Sequence, residues 1–405
     1  MNLVANFRVL PFFWLPLFFV HCNGQEKKKA VTSGAAMDNI KIEYYGIPAQ
    51  VAAQDTSPAW TQNGQKILVT GVIYQPDGKT PAPGILLYYY HTNTEGKYLH
   101  KEIEPRTLPP NSKGQTHGYI RGWVKTGADG RYSIYTVKPG AYPSRPEPAH
   151  IHVTIKEPGL ENSYYIDDMV FDSDELLTSA KRKKMENRGG SGVLRMVQQG
   201  NLQIGERNII LGLNIPGHRQ TTTVGTGGIS SGRNIGEDMI SFTPFHAWGP
   251  DKGSRACPVC KYGWYHGILY FVGNNPDWKK IKQWLVFLES ESKKRDQFLK
   301  VYFIYGNENG YSKTEREKEL EQLGRELQIE KTALTFVPSF SDETSDIHLA
   351  RVNQRAVNTF ILYKRSNIID KFVNLEPSPE NFSLLSQRLN QTINDYFRMP
   401  GAENK

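Results

Sequence analysis

Short apolar and aromatic runs, separated by turn residues, fill the first half of the chain. Residues 66–74 and 85–90 are rich in β-branched and aromatic side chains, which favour β-strands. Between them, Pro76-Asp77-Gly78 has the residue types of a tight turn. The pattern predicts an all-β, antiparallel sandwich over residues 59–219, with its late strands drawn from residues 201–213.

The second half of the chain mixes strand-like with helix-like periods. Apolar runs at 267–272 and 299–305 predict strands, and residues 278–295 have helical spacing that ends in charge. This βαβ order, followed by a hairpin and a helix, resembles the thioredoxin fold. We therefore predict an α/β thioredoxin-like domain over residues 242–398. Its other predicted elements are a charged helix at 314–327, a strand at 333–337, a hairpin at 358–373 and a last helix at 378–396.

A segment dense in Gly, Thr and Ser separates the two halves. Such a composition is typical of flexible linkers, because it offers few side chains to a core. It predicts a flexible linker over residues 220–241.

The N-terminus has the pattern of an export signal. Arg8 precedes an apolar run at 9–20 that is too short for a convincing membrane span. Cys22 follows the run, which leaves two interpretations open: a lipoprotein anchored through Cys22, and ordinary secretion, favoured by His21 where lipoproteins have a small residue. Both predict a signal at 1–22, a polar tether at 23–58, and an exported protein of the periplasm or outer envelope, with membrane contact only through the lipid.

Composition fits a soluble, multidomain protein. The 405 residues predict two or three domains, and 38% hydrophobic residues suffice for real cores. The net charge is +8, and a basic balance can indicate nucleic-acid contact. However, the one dense basic run, Lys181-Arg182-Lys183-Lys184, follows an acidic stretch. That arrangement favours a solvated surface helix, and we expect no nucleic-acid partner.

Four residues of the first half form a donor set suited to a metal ion: Tyr98, Tyr142, His150 and His152. His150 and His152 are two apart, so a strand places both imidazoles on one face. Phenolate oxygen stabilises Fe(III) over Fe(II), and imidazole suits Fe, Zn and Cu alike. A strand with two satisfied histidines is also a common structural outcome, so the surrounding sequence decides between them.

That surrounding sequence contains an ordered series of motifs. In chain order they are Gly71-Val72-Ile73-Tyr74, Gly96-Lys97-Tyr98, Arg121-Gly122-Trp123-Val124-Lys125-Thr126, Asp129-Gly130-Arg131-Tyr132, Lys138-Pro139-Gly140-Ala141-Tyr142-Pro143 and Pro148-Ala149-His150-Ile151-His152. The series resembles the intradiol ring-cleavage dioxygenases, the family of protocatechuate 3,4-dioxygenase and catechol 1,2-dioxygenase. The last two motifs are the most specific.

The resemblance implies a role for each donor. Tyr98 and Tyr142 would be tyrosinate ligands of Fe(III), with His150 and His152 as imidazole ligands. Tyr142 would leave the metal when substrate binds. The substrate would be a small aromatic diol that reacts with O2 to give a muconate-type diacid, as in aromatic-compound catabolism. The metal would act as Lewis acid and template. Relatives often form dimers or larger assemblies, which makes a homo-oligomer an expectation.

Two positions depart from the family pattern. Glu147 stands where relatives often have an Arg that supports the substrate. A carboxylate there would repel a dianionic catecholate by about 1 kcal/mol or more at short range. Arg145 shares a strand face with position 147 and is our candidate for the supporting cation in catalysis. Tyr90 stands where many relatives carry Trp. These departures leave the identity of the catechol open.

The second domain contains a Cys-x-x-Cys motif, Cys257-Pro258-Val259-Cys260. Such a pair exchanges disulfides when it opens a helix in a thioredoxin-like domain. Here the motif precedes the first core strand instead of following it, and Asn358 occupies the position of the thioredoxin cis-proline. Three interpretations stay open: a structural disulfide of an oxidising compartment, a redox-active pair, and half of a zinc site completed by His246 and His266.

Three functional hypotheses follow. The leading one is an Fe(III) dioxygenase. The rivals are a thiol-disulfide oxidoreductase that uses Cys257 and Cys260 with the β-domain as a scaffold, and a non-catalytic β-sandwich binding module. The remaining histidines near the donors, His91, His100 and His117, are either pocket-lining or ordinary structural residues.

Overall fold

A computed structural model describes residues 41–218 and 229–393. The predicted signal with Cys22, the first part of the tether, residue 219, residues 220–228 of the linker and the end of the last predicted helix lie outside the described residues. Within the described ranges, no helix combines the length and the apolar character needed to cross a bilayer.

Two mixed β-sheets form the first domain. One has the strand order β1-β5-β2-β11-β10 with β12 beside β2, and the other β4-β3-β6-β8-β9 with β7 beside β6. A short helix, α1 (Ser179–Lys184), follows β8. The strands are β1 (Gln54–Thr56), β2 (Lys66–Tyr74), β3 (Leu86–His91), β4 (Arg121–Lys125), β5 (Arg131–Val137), β6 (His150–Lys156), β7 (Tyr164–Tyr165), β8 (Met169–Phe171), β9 (Val193–Leu194), β10 (Val197–Gln199), β11 (Leu202–Glu206) and β12 (Ile209–Ile210).

One apolar core lies between these sheets. Val69 of β2 and Leu87 of β3 are fully buried in it, and they come from different sheets. Strand β6 contributes Ile151, Val153 and Ile155 to the same core. Each such side chain contributes about 1.5–3 kcal/mol through burial. The alternation of β6 therefore fixes which face His150 and His152 occupy, because they point away from these three residues.

The strand directions differ from the antiparallel prediction. Pairs β1–β5, β2–β11, β2–β12 and β8–β9 are parallel. Residues 201–213 do supply late strands, but these join β2 after the whole second sheet has intervened. No hairpin turn connects these late strands to β2. The alternating pattern of the sequence therefore could not predict that they run parallel to it.

The first domain also begins earlier than predicted. Within the expected tether, Gln54–Thr56 pairs with β5. The carbonyl oxygens of Ile42 and Tyr45 accept hydrogen bonds from Nη2 of buried Arg121, at 2.8 and 2.7 Å. Residues 41–58 are therefore part of the β-domain, held by backbone groups that a polar composition does not show.

The second domain is α/β. Its sheet has the order β13-β16-β15-β14-β17-β18, in which β14, β15 and β16 run parallel while β17 is antiparallel to β14. The strands are β13 (Phe245–Trp248), β14 (His266–Val272), β15 (Leu299–Tyr305), β16 (Ala333–Phe336), β17 (Thr359–Lys364) and β18 (Asn367–Val373). The helices are α2 (Pro258–Tyr262), α3 (Trp278–Arg295), α4 (Lys313–Glu326) and α5 (Pro379–Gln391), with 3₁₀ turns at Ile42–Tyr44, Asp296–Phe298 and Ile347–Ala350.

Nearly every predicted element of this domain is present within a few residues of its expected bounds. Side chains of Asp277, Ser312 and Ser378 cap the three long helices, which explains why the helices begin there. Strand β13 was not predicted; it adds an antiparallel edge to the sheet through β16. Trp284 of α3 packs on Phe360 of β17, with ring centroids 4.6 Å apart.

The described part of the predicted linker, residues 229–241, is an ordered bridge between the domains. Gly236 accepts a hydrogen bond from the Ser191 amide on one side and donates its own amide to Ile368 on the other, both at 2.7 Å. Ser231 Oγ lies 2.6 Å from Thr359 Oγ1. The flexible-linker prediction is wrong for this stretch, because backbone partners on both domains replace the missing side-chain contacts.

Candidate metal centre

The four predicted donors converge at one end of strand β6. Tyr98 Oη lies 2.8 Å from Tyr142 Oη. Tyr142 Oη is 3.3 Å from His152 Nε2, and His152 Nε2 is 3.1 Å from His150 Nε2. Two oxygens and two nitrogens from three separate segments therefore face one another within hydrogen-bonding distance.

Glycines allow the two tyrosine-bearing loops to come this close. Gly96, two residues before Tyr98, has φ 77°, and an added Cβ there would meet the Ala141 oxygen at 1.9 Å. Gly140, two residues before Tyr142, would collide in turn with the backbone of the Tyr98 loop at 2.4 Å. Glycine is the residue that tolerates both the positive φ and the close backbone approach.

Hydrogen bonds fix the tautomers of the two imidazoles. His150 Nδ1 lies 2.7 Å from the Pro148 oxygen, and His152 Nδ1 lies 2.9 Å from Asp168 Oδ1. A carbonyl and an ionised carboxylate only accept, so each Nδ1 donates, and a neutral ring has a lone pair on Nε2. Two lone pairs face each other at 3.1 Å, which is unfavourable unless they share a cation.

Burial disfavours a proton in that role. It lowers the pKa of His150, and the neighbouring His152 lowers it further. Burial also raises the pKa of Tyr98 and of Tyr142, so both phenols keep their protons unless a cation compensates the phenolate charge. A bound metal ion reverses these preferences at once. The donor set therefore fits a metal ion held by Tyr98, Tyr142, His150 and His152.

Asp168 is a functional residue that the sequence analysis missed. Ligand atoms of His150, His152 and Asp168 lie within 4.8 Å of one another. Because Asp168 bonds Nδ1, the side of the ring away from the phenols, it orients the His152 ring. The only sequence signal was its place just before strand β8, where an acidic pair, Asp167-Asp168, precedes an apolar run.

An aromatic stack supports the other side of His152. The ring of Tyr90 lies 4.5 Å from that of His152 and 3.5 Å from that of His117, nearly parallel to the latter. Tyr88 Oη lies 2.8 Å from His117 Nδ1. Burial lowers the pKa of His117 to about 3, so its ring is neutral. Tyr90 thus lies stacked between two imidazole rings, one of which belongs to the donor set.

The other predicted pocket histidines lie elsewhere. His91 is buried, with Nε2 2.8 Å from Thr136 Oγ1 and Nδ1 2.7 Å from the Thr92 oxygen. His100 is exposed. Both have ordinary structural roles, and His117 alone of the three joins the site.

Arg145 and Glu147 lie together at the mouth of the site. The Arg145 guanidinium is 4.4 Å from the centre of the Tyr142 ring and lowers the pKa of that phenol, although burial outweighs it. Arg145 Nη1 lies 3.6 Å from Glu147 Oε1, with the side chains 57% and 46% exposed. Such an exposed pair contributes little to stability, so both charges are available to a ligand.

Cys257 and Cys260 form a disulfide, with Cα atoms 5.3 Å apart. The pair opens helix α2, which precedes strand β14. His246 Nε2 lies 2.9 Å from the Ala256 oxygen, and His266 Nε2 lies 2.8 Å from Thr392 Oγ1. Among the described residues, the one cluster of His, Cys, Asp or Glu that could hold a metal is His150, His152 and Asp168, so the zinc interpretation has no support.

Comparison with known proteins confirms the resemblance to intradiol dioxygenases in this part of the chain. The dioxygenase family model matches residues 44–188. The β chain of protocatechuate 3,4-dioxygenase from Burkholderia cepacia is 35% identical over 120 residues, 28% of this chain and 48% of the relative. Catechol 1,2-dioxygenase 1 from Acinetobacter lwoffii is 31% identical over 102 residues, 21% of this chain and 30% of the relative.

The chain spans about half the length, or less, of the curated relatives it matches. Among solved structures, an intradiol ring-cleavage dioxygenase from Tetranychus urticae is 18% identical with a TM-score of 0.30, covering 42% of this chain and 90% of that one. A thiol:disulfide interchange protein from Chlorobium tepidum is 14% identical with a TM-score of 0.29, covering 40% of this chain and 98% of that one.

Proposed function

We propose that the β-domain, which matches the dioxygenase family over residues 44–188, is an Fe(III)-dependent intradiol ring-cleavage dioxygenase. One observation carries the proposal: the facing Nε2 lone pairs of His150 and His152 lie beside two phenol oxygens. Two anionic oxygens and two neutral nitrogens suit a hard, trivalent cation better than a soft or divalent one. Fe(III), held by these four residues, would supply Lewis-acid chemistry that withdraws electron density from a bound catecholate.

The two tyrosines have different tasks in this proposal. Tyr142 lies beneath Arg145 at the mouth, so it is the phenolate that makes way for the substrate. It then takes a proton from one catechol hydroxyl, a general-base step. Tyr98, whose hydroxyl lies 2.8 Å from that of Tyr142, remains in place.

His152 is the most firmly positioned donor. Asp168 holds its Nδ1 and Tyr90 stacks on its ring. Tyr90 is itself buried and stacked with His117, so the ring that supports His152 is held in place.

The charges at the mouth favour a particular substrate class. Arg145 supports a bound catecholate, whereas Glu147 repels an anionic substituent on the ring. We therefore favour a catechol without a carboxylate. Opening the ring between its two oxygen-bearing carbons with O2 gives a muconate-type diacid.

Oxygen uptake tests the activity directly. Iron-loaded protein is mixed with catechol, hydroxyquinol and protocatechuate, and O2 consumption is measured together with the product by mass spectrometry under ¹⁸O2. The expected result is one O2 consumed per ring opened, with both labelled atoms in the diacid. His150→Ala, which removes one donor, is the matched inactive control. An iron-bound protein that consumes no O2 with any catechol would contradict the activity.

We also propose a two-domain architecture for the chain and its export from the cytoplasm. A dioxygenase-type β-sandwich followed by a thioredoxin-like domain is supported by the strand orders of the two domains. Export is supported by the pattern of residues 1–22. Cell fractionation and the N-terminal sequence of the mature protein test it, and labelling with palmitate distinguishes an anchor at Cys22 from secretion.

Dithiol exchange is a second candidate function. It is favoured by the disulfide at the start of helix α2, in which Cys260 is exposed. Reduction of insulin by the reduced protein tests it, with Cys257→Ser as the control. Failure to reduce insulin, together with ring cleavage, would leave the disulfide with a structural role.

A further inference from the structure

A cavity lies between the two domains, and its lining shares no residue with the metal centre. It contains about 430 Å³ of empty space, including its opening to solvent. Residues of strand β11 and the segment after it line one side, and the tip of the β17–β18 hairpin lines the other. The charged lining residues are Arg195, Glu206, Arg207, Lys364 and Arg365.

The guanidinium of Arg207 is buried, and it has no hydrogen-bond partner in the described part of the chain. Arg207 is only 2% exposed. None of its three guanidinium nitrogens lies within hydrogen-bonding distance of an acceptor among the described residues. Asp167 and Asp168 are near enough to favour its charge, yet burial dominates and lowers its pKa. An uncompensated buried charge is costly, and folded proteins normally pair it.

The hairpin tip is strained and places two cations at the same cavity. Arg365 and Ser366, the two turn residues, have φ 51° and 62°. A turn with two positive φ values favours Asn-Gly, and each other residue costs about 1–2 kcal/mol there. Lys364 and Arg365 are nevertheless each only 7% exposed. Strain that persists at a buried, charged position is a mark of a functional site.

The charges of the lining do not balance. Arg195 is held by Asp238 at 3.0 Å, and Lys364 by Glu206 at 2.8 Å. Glu206 is the one carboxylate among the lining residues, against four basic side chains. Glu206 also favours the charge of Arg365, but one carboxylate does not neutralise two cations, so the cavity keeps a positive charge that includes Arg207.

We propose that this cavity binds a small divalent oxyanion, which Arg207 of the first domain and Arg365 of the second hold together. Guanidinium groups match tetrahedral and planar oxyanions through paired N–H donors. Such an anion supplies the acceptors that Arg207 lacks. Because it contacts both domains, it stabilises their contact by ligand linkage. The proposed site shares no lining residue with the metal centre, and it does not depend on ring cleavage.

Titration of the mature, full-length protein with inorganic phosphate tests the site. Isothermal calorimetry in buffer free of phosphate and sulfate is expected to give saturable binding of about one anion per chain. Arg207→Gln and Arg365→Gln should each weaken binding at least about tenfold, the size of a lost charged hydrogen bond. Arg131→Gln, at an exposed arginine of the same domain, is the matched control and should bind as the wild type does.

Sulfate and succinate, titrated in the same way, identify the anion class. Binding of phosphate and sulfate alone indicates a tetrahedral ligand, and stronger binding of succinate indicates a dicarboxylate. Thermal unfolding gives a second measurement: phosphate should raise the Tm of the wild type and not that of Arg207→Met. Absence of saturable binding of all three anions by the wild type would overturn the proposal, as would unchanged affinity in Arg207→Gln.

Discussion

The Nε2 atoms of His150 and His152 lie 3.1 Å apart, and in the neutral form of each ring the proton is on Nδ1. Asp168 and the Pro148 carbonyl impose that state from outside the site. The protein therefore prepares two lone pairs for a cation before any cation arrives. Preparing the donors in this way lowers the cost of ordering them on binding.

Removing the carboxylate behind His152 should weaken metal binding. We expect Asp168→Asn to lower iron affinity about 10–100-fold, because the amide no longer fixes the tautomer and orientation of the ring. Competition with a chelator measures the affinity. Asp129→Asn, at an exposed carboxylate of the same domain, is the control. Equal affinities in the two variants would show that Asp168 does not act through His152.

Removing the Tyr142 hydroxyl should impair catalysis more than metal binding. We expect Tyr142→Phe to retain iron on three donors but to lose ring cleavage by about 10²-fold or more, since the base for the catechol proton is gone. Iron content and steady-state rates, measured on one preparation, separate the two effects. A variant with near wild-type kcat would exclude Tyr142 as that base.

Neutralising Glu147 should change the substrate preference. Glu147→Gln removes an exposed negative charge from the mouth, and exposed charges contribute up to about 1 kcal/mol. We expect kcat/KM for protocatechuate to rise roughly two- to fivefold relative to that for catechol, because only protocatechuate carries a ring carboxylate in addition to its two catecholate oxygens. The ratio of kcat/KM for protocatechuate to kcat/KM for catechol, measured on one preparation, serves as the internal control. A ratio that stays constant would place Glu147 outside the substrate's reach.

The buried His266 should make the folded protein less stable as the pH is lowered. Burial, with Lys364 next, lowers its pKa from 6.5 to about 3. Below pH 6.5 the His266 imidazole is protonated in the unfolded chain but stays neutral in the folded protein. The free energy of unfolding therefore declines as the pH falls from about 6.5 to about 3. Between pH 7.5 and 5.0 this group should cost about 2 kcal/mol.

Urea unfolding at those two pH values measures the effect. His266→Gln, which can still bond Thr392, should reduce the pH dependence by this amount. His100→Gln, at an exposed histidine, should leave it as in the wild type. Identical pH dependence in both variants would show that His266 takes up its proton in the folded protein.

The disulfide should matter little for global stability. Cys257 and Cys260 close a very short loop, for which chain entropy gives only about 2 kcal/mol. We expect the double Cys257→Ser, Cys260→Ser variant to lose no more than that in urea unfolding, with its iron spectrum unchanged. A larger loss in the free energy of unfolding, or disappearance of the iron spectrum, would show that the disulfide also stabilises the first domain.

The sequence predicted the donor set because its members lie in short, ordered motifs. His150 and His152 lie two apart on a strand whose other face is apolar, so their common direction followed from the backbone. The helices of the second domain were equally accessible, since Asp277 and Ser378 cap them by local hydrogen bonds.

Long-range contacts were not accessible in this way. Asp168 is 16 residues from His152, and the parallel pairing of β11 with β2 joins segments more than 130 residues apart. Residues 229–241 were predicted to be flexible because their Gly and Ser side chains offer nothing to a core, whereas their backbone amides bond to both domains. The residue pattern of a short segment does not show which distant segment it will contact.

The visible absorption spectrum of the purified, iron-loaded protein tests the central claim most directly. Tyrosinate ligation of Fe(III) predicts a broad charge-transfer band that Tyr98→Phe and Tyr142→Phe each alter. Addition of catechol without O2 should shift the band as the substrate chelates the metal. A protein that stays colourless after iron loading, or a band that neither variant changes, would contradict the tyrosine–histidine iron site.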